Sequence, residues 1–399
     1  MAYEYIENFK KLGFGLFVHF GVYSQIKKGE WYKFSYSLED EKYNSLIKGF
    51  NVKKSWAKEL VKTAKKAGAK YITLTARHHD GFSLFDTCGL STYDSIHLLG
   101  RDLIKEFSDE CHKNNIIPFF YHTLIDWNEK TYDTDFDTYI DYLINSVELL
   151  CKNYGEVGGF WFDGFWAKPE ANWQFERLYS TIRKYQPNAM IINNTGLSAL
   201  GEVSHPEIDS VTFERGAPSP VNNSDGKPRA GEVCDSLTDH WGYAEKDICI
   251  KSIPYIIDLL VDCRKYNANL LLNVGPTSDG SLRLIEKATL LELGKWTKKY
   301  EHILTNCVPA EFDAENAVIL KDDKYHYAII RNVPMASNEN VQRRLNRPQV
   351  VLNTHKKVKS IYYLDSKTTI KNIKNNTFEI LPFDYGESMY ARVVRFKVK

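Results

Sequence analysis

Seven short, almost unbroken apolar runs recur along the first three quarters of the chain. They begin at Phe14 (FGLFVHF), Tyr71 (YITLTA), Ile116 (IIPFFYH), Gly159 (GFWF), Met190 (MIINN), Ser210 (SVTF) and Asn269 (NLLLNV). A strand apolar on both faces must be covered on both faces, and strands that alternate with helices make a parallel sheet clothed in helices. Helical periodicity fills 55–67, 102–113, 137–154, 172–185 and 252–266 between them. Ser55 stands where an N-cap is expected, and Gly68 where a helix should stop. An eighth strand fits near 232–237, so the expected fold is a (β/α)8 barrel. The structural rival is an open doubly wound sheet. No G-x-G-x-x-G turn follows the first run, which counts against a dinucleotide fold. Residues 216–231, GAPSPVNNSDGKPRAG, are turn-rich where a helix should lie. The barrel is therefore expected to be irregular in its second half.

From about Val308 the pattern changes to short β-like runs: AVILKDD, HYAIIRN, QVVLNT, SIYYLDS, TFEILPF and ARVVRFKV. These predict a small C-terminal β-sandwich, giving a barrel over 1–305 and a sandwich over 306–399. The formal net charge of +1 gives no electrostatic reason to expect nucleic acid or an anionic membrane as partner, and no apolar stretch approaches a membrane span. The seven cysteines are odd in number and form no C-x-x-C pair. They read as buried reduced thiols rather than a disulfide framework or a zinc site. With no signal-like h-region at the N-terminus, the expected location is the cytoplasm.

In a parallel barrel, chemistry sits at the C-terminal ends of the strands, so polar residues just after an apolar run are the candidates. Asp163 ends the run GFWF and reads either as a nucleophile or as an acid capping the turn at Gly164. His78 and His79 follow the second run. Adjacent histidines at a strand end point apart and seldom chelate one metal, so contacts to hydroxyls suit them better than a metal site. His19 follows the first run, with Glu30 and Trp31 in the next loop. Tyr121 and His122 end the third, with Asp126 and Trp127 beyond. Carboxylates, histidines and tryptophans on one rim, with no metal cage and no phosphate loop, fit glycoside hydrolysis, which needs two carboxylates. A metal-dependent barrel hydrolase and a catalytically silent sugar-binding protein are the competing classes.

GLFVHFGVYS, EWY, WAKELVKTAKKAGAKYITLTARHHDGFSLFDT, RDLIKEF, PFFYHTLIDW, GFWFDG, DHWGY and NLLLNVGPTSDG run in order from about residue 13 to 280. Together they resemble the signature blocks of the family 29 glycoside hydrolases, the α-L-fucosidases. The resemblance implies a retaining enzyme with Asp163 as nucleophile and Trp161 lining the sugar pocket. It implies that His19, His78 and His79 bind fucose hydroxyls, that Glu30 and Trp31 match the first-loop pair, and that Tyr121 matches the tyrosine after the third strand. The acid/base falls to Glu214, ending the run SVTFE, with Glu232 the alternative, placed near a strand start or in the loop. The implied partner is a fucosylated oligosaccharide or glycoconjugate. No cofactor and no metal are expected, and the oligomeric state stays open.

Overall fold

The computed structural model describes residues 3–195, 197, 199–336, 347–366, 368–370 and 373–398. The eight expected runs become eight parallel strands: β1 Phe14–Val18, β2 Tyr71–Arg77, β3 Ile117–Thr123, β4 Gly159–Asp163, β5 Met190–Asn193, β6 Ser210–Glu214, β7 Ala230–Ser236 and β8 Asn269–Val274. They pair in sequence order and close when β1 pairs with β8, Phe14 opposite Leu270 and Phe17 opposite Asn273. Closure leaves no edge strand to protect.

Outside the sheet lie helices Trp56–Ala67, Leu103–Asn114, Phe136–Asn153, Phe175–Tyr185, Ile253–Lys265 and Leu284–Lys299. Each turns one apolar stripe inward; in the first the stripe is Trp56, Leu60, Val61, Ala64 and Ala67. Asp102, Asp135 and Ser252 cap their helices by accepting the backbone N–H of Lys105, Thr138 and Tyr255. Ser55 occupies the expected N-cap position but does not cap. Its oxygen accepts no backbone N–H, and its hydroxyl donates to the Glu59 carboxylate at 2.7 Å. Gly68 ends that helix in the left-handed region at φ 94°, as expected. Between β6 and β7 the chain forms turns and no helix, the irregularity that its Pro, Asn and Gly content foretells.

The barrel interior is filled, with Phe17, Tyr71, Phe119, Tyr121, Trp161, Met190, Ile192, Cys234 and Leu271 in one buried cluster. The N-terminal helix Glu4–Lys10 adds Ile6 and Phe9 to this cluster, and Asn269 donates to the Phe9 carbonyl at 2.8 Å. Glu232 is part of this interior. It is the third residue of β7, fully buried, so it lies near the strand start, as its sequence position suggests, and not in the loop. The strand begins at Ala230, because a carboxyl can stay inside when buried donors meet it. The Tyr71 hydroxyl and the Trp161 indole N–H, the latter at 2.9 Å, both donate to Glu232.

Nine further strands follow among the described residues: β9 Val308–Pro309, β10 Ala314–Glu315, β11 Ala317–Lys321, β12 His326–Ile330, β13 Gln349–Leu352, β14 Val358–Tyr363, β15 Thr369–Ile370, β16 Thr377–Glu379 and β17 Arg392–Val398. They form one hydrogen-bonded sheet ordered β15-β14-β17-β12-β11-β10-β13-β16, with β9 on β11. The sheet doubles over a core of its own. Its two ends meet where Leu381, just after β16, donates its N–H to the Tyr363 hydroxyl on β14 at 2.7 Å, so the leaves face each other as in a sandwich. Its other face shares the main core through Val318, Leu320, Tyr327, Ile329 and Val393, and the Trp296 indole donates to the Ala391 carbonyl at 3.0 Å. All seven cysteines are unpaired. Cys88 and Cys249 are exposed, against the expectation that the thiols are buried, because both sit in turns outside the apolar helical stripes.

Burial pushes the Glu232 carboxyl up to about 7. The folded chain therefore holds this proton more tightly than the unfolded one, and stability should fall as pH rises from the unfolded value of ~4.3 through 7. Glu232→Gln should lose the share of that fall that Glu232 contributes. Glu232→Ala strands two buried donors and should cost roughly 2–4 kcal/mol of unfolding free energy in a urea titration.

Candidate active site

At the C-terminal mouth of the barrel lies a cavity. Asp163, the last residue of β4, reaches into it. The chain turns sharply behind Asp163 at Gly164, which has φ 103°. A Cβ there would also lie 2.4 Å from Ile125, so glycine is needed twice over. The Asp163 carboxylate accepts from the Tyr121 hydroxyl at 3.0 Å and from the Asn194 amide at 3.3 Å. Burial raises its pKa above the ordinary aspartate value, while the donors Tyr121, Asn194, Gly164 and Trp166 pull the other way.

Glu214 ends β6 and lines the same cavity. Asn194 Nδ2 donates to it at 2.6 Å, so a single amide group touches both acids. Asn194 is aimed by Thr212, whose hydroxyl donates to its Oδ1 at 2.8 Å. Burial, followed by the charge of Asp163, pushes the Glu214 carboxyl up to about 7. Glu232, also held at about 7, lies beneath the cavity and does not line it. Of the two glutamates, the structure brings Glu214 to Asp163.

His19, His78 and His79 meet on one side. His78 lies 4.3 Å from His79 and 5.5 Å from His19 between ring centroids, and it stacks on Tyr121 at 5.5 Å. Burial lowers the pKa of all three, to about 3 for His19 and for His79, so they are neutral at pH 7. Two of the tautomers follow from their partners. Asn273 spends both amide hydrogens on the Ser236 hydroxyl and the Trp241 carbonyl. Its Oδ1 must therefore accept from His19 Nδ1, at 2.7 Å. The Thr123 hydroxyl gives its hydrogen to the Ile125 carbonyl, so it accepts from His79 Nδ1, also at 2.7 Å. Each ring is left with a bare Nε2, an acceptor. His79 Nε2 faces Asp163 at 3.6 Å, beyond hydrogen-bonding distance.

The other sequence candidates separate by position. Trp31, Tyr121 and Trp161 line the cavity, the last two stacked at 5.7 Å. Glu30 does not line it. Its buried carboxylate accepts from the Gly242 N–H at 2.6 Å and so fixes the loop carrying Trp241, which does. His122 and Asp126 belong to a buried network around Arg77 instead, at 2.7 Å and 3.5 Å. Among the described residues two clusters could hold a cation, Asp239/Asp247/Cys249 and His302/Cys307/Asp322; neither contains a cavity-lining residue. Sequence reasoning missed Asn194, Asn273, Phe17, Cys234, Trp166, Leu197 and Trp241. Asn194 had a readable signal, a polar pair closing the run MIINN.

Comparison with known proteins bears on this arrangement directly. A family model described as Alpha-L-fucosidase matches residues 1–302. The chain belongs to the α-L-fucosidase family. Membership makes it a glycoside hydrolase. The curated tissue α-L-fucosidase of Rattus norvegicus is 27% identical over 72% of this chain and 67% of its own length, and the chain spans about two thirds of such relatives. Isoenzyme 1 of Paenibacillus thiaminolyticus superposes with a TM-score of 0.84 at 28% identity, covering all of both chains. The Thermotoga maritima α-fucosidase, solved in complex with fucose, superposes at 0.75 with 22% identity over 97% of this chain and 96% of its own. In this member of the family, Asp163→Asn should lower the Glu214 pKa, because the charge of Asp163, second to burial among the causes that raise it, is removed. The value should stay above that of an ordinary glutamate, because burial remains. Carboxyl ¹³C titration of the two proteins measures the difference.

Proposed function

We propose that this chain is a retaining α-L-fucosidase that releases terminal α-L-fucosyl residues from glycans through a covalent fucosyl-enzyme on Asp163, with Glu214 as acid/base. One observation carries the reading. Asn194 Nδ2 reaches both acids, so their nearer oxygens lie no farther apart than its two hydrogen bonds laid end to end. That is shorter than the ~6.5 Å at which an inverting pair begins to make room for a water, and it suits the ~5–5.5 Å of a retaining pair. A relative from Bacteroides thetaiotaomicron, 22% identical with a TM-score of 0.81, was solved as a trapped covalent intermediate in complex with 2-fluoro-fucosyl fluoride. The proposed catalytic unit is 1–305, with 306–399 an appended sandwich.

The groups divide the work by their charge states. Asp163, held ionised by Tyr121 and Asn194, attacks the anomeric carbon. Glu214, still protonated near neutrality, gives its proton to the departing oxygen and then accepts one from water in the second step. His19 and His79 accept hydrogen bonds from sugar hydroxyls, and the walls from Phe17, Trp161 and Trp241 meet the apolar face of the ring.

Asp163→Ala should nearly abolish turnover of an aryl α-L-fucoside. Azide should partly restore it, giving the β-fucosyl azide; near-normal activity in the mutant would sink the assignment. With the wild type, the first product seen by NMR should be α-L-fucose. Because Glu214 must carry a proton, kcat/KM should fall as pH rises through about 7, and Glu214→Ala should flatten that limb. The same variant should lose on the order of 10²–10⁴ in rate on a glycan with a poor leaving group and much less on an aryl fucoside. If Glu232→Ala shows this pattern instead, the roles swap.

A further inference from the structure

The cavity opens onto an aromatic surface that the reaction at the fucose ring does not use. Trp31 and Phe34 come from the loop after β1, Trp127 from the loop after β3 and Trp166 from the loop after β4. Trp31 lies 5.7 Å from Trp166 and 5.3 Å from Trp127, and Phe34 stacks on Trp127 at 5.5 Å and 22°. Trp166 and Trp31 line the cavity, whereas Trp127 and Phe34 lie outside its lining. The rings thus form a continuous shelf leading outward from Trp166, which lines the cavity with Asp163. Its outer end is open, with Phe34 61% exposed, and Trp166 at its inner end is still 38% exposed. Large rings gathered in the open at the mouth of a cavity mark a contact surface, unlike single exposed side chains. The shelf is braced ring against ring across three loops, so little ordering is needed when a ligand lands on it. The nearby lysines are already paired, Lys33 with Asp40 at 2.8 Å and Lys168 with Asp133 at 3.0 Å. The surface therefore suits a neutral partner with an apolar face, which is what a pyranose ring offers.

We propose that this shelf holds the leaving-group sugars of an oligosaccharide substrate, with Phe34 contacting a residue beyond the one bonded to fucose. The inference rests on the α-L-fucosidase reading. By microscopic reversibility the same shelf receives an acceptor sugar if the fucosyl group is transferred rather than hydrolysed.

The test compares substrates whose leaving groups do and do not reach Phe34. α-L-Fucosyl fluoride leaves as a single atom and cannot touch the shelf. A fucosylated tetrasaccharide, chosen as the wild type's best substrate from a panel of α-1,2, α-1,3, α-1,4 and α-1,6 linkages, can. Phe34→Ala should lower kcat/KM on the tetrasaccharide by roughly tenfold, the order for one aromatic contact, and leave the fluoride rate unchanged. Phe34→Trp, which keeps an aromatic face, should retain most of the glycan rate. Equal losses on both substrates, no loss on either, or a wild type that takes the fluoride but no oligosaccharide would overturn the proposal. A wild type that turns over neither would overturn the fucosidase reading itself.

Discussion

Two carboxyl groups held close enough to cooperate would normally repel each other once both ionise. In this chain the repulsion is managed by one side-chain amide. Asn194 donates to Asp163 and Glu214 with the same nitrogen, and its own orientation is fixed by Thr212 on the next strand. Three consecutive strands, β4 to β6, must therefore keep their ends in register to within a few tenths of an ångström. Barrel closure and a filled interior supply that rigidity. The difference between the two acids follows from surroundings rather than chemistry. Asp163 collects several donors, and Glu214 has Asn194 and a neighbouring negative charge.

Most of the architecture was legible in the sequence because each barrel strand is buried on both faces, and an apolar run bounded by turns has few other readings. The C-terminal strands were equally plain, as was the helix missing between β6 and β7. The site was legible only in part. Strand ends point to Asp163, His78, His79 and Tyr121, but no local rule reveals that Glu232 faces the interior. That requires the register between β7 and its neighbours, and the knowledge that Tyr71 and Trp161 wait there with donors. Glu30 is the converse case. Its place in the first loop suits a sugar contact, yet its partner is a backbone N–H more than two hundred residues away. Pairings of this kind are fixed by closure of the barrel, which a linear reading cannot see.

The C-terminal sandwich is not hung on a flexible tether. One of its faces completes the same core as the outer helices of the barrel. An indole hydrogen bond and an ion pair between Arg331 and Asp262 join the two across that face. Cutting the chain at the boundary would expose apolar surface on both pieces, so its stability contribution to the barrel is physical rather than incidental.

The tautomers of His19 and His79 carry a consequence for what the pocket can admit. Both rings spend their only N–H on the protein, toward Asn273 and Thr123; the bare Nε2 of His79 faces Asp163, and His19 is the one of the two that lines the cavity. An acceptor on that wall reads the hydrogen of a hydroxyl rather than its oxygen. A methyl ether keeps the oxygen and loses the hydrogen, leaving two lone pairs facing each other with no proton between them. Under the fucosidase reading, the His19 nitrogen thus enforces a chemical grammar: a fucose O-methylated at the hydroxyl that meets it, nearly the same size and shape at its core, is a word this pocket cannot pronounce.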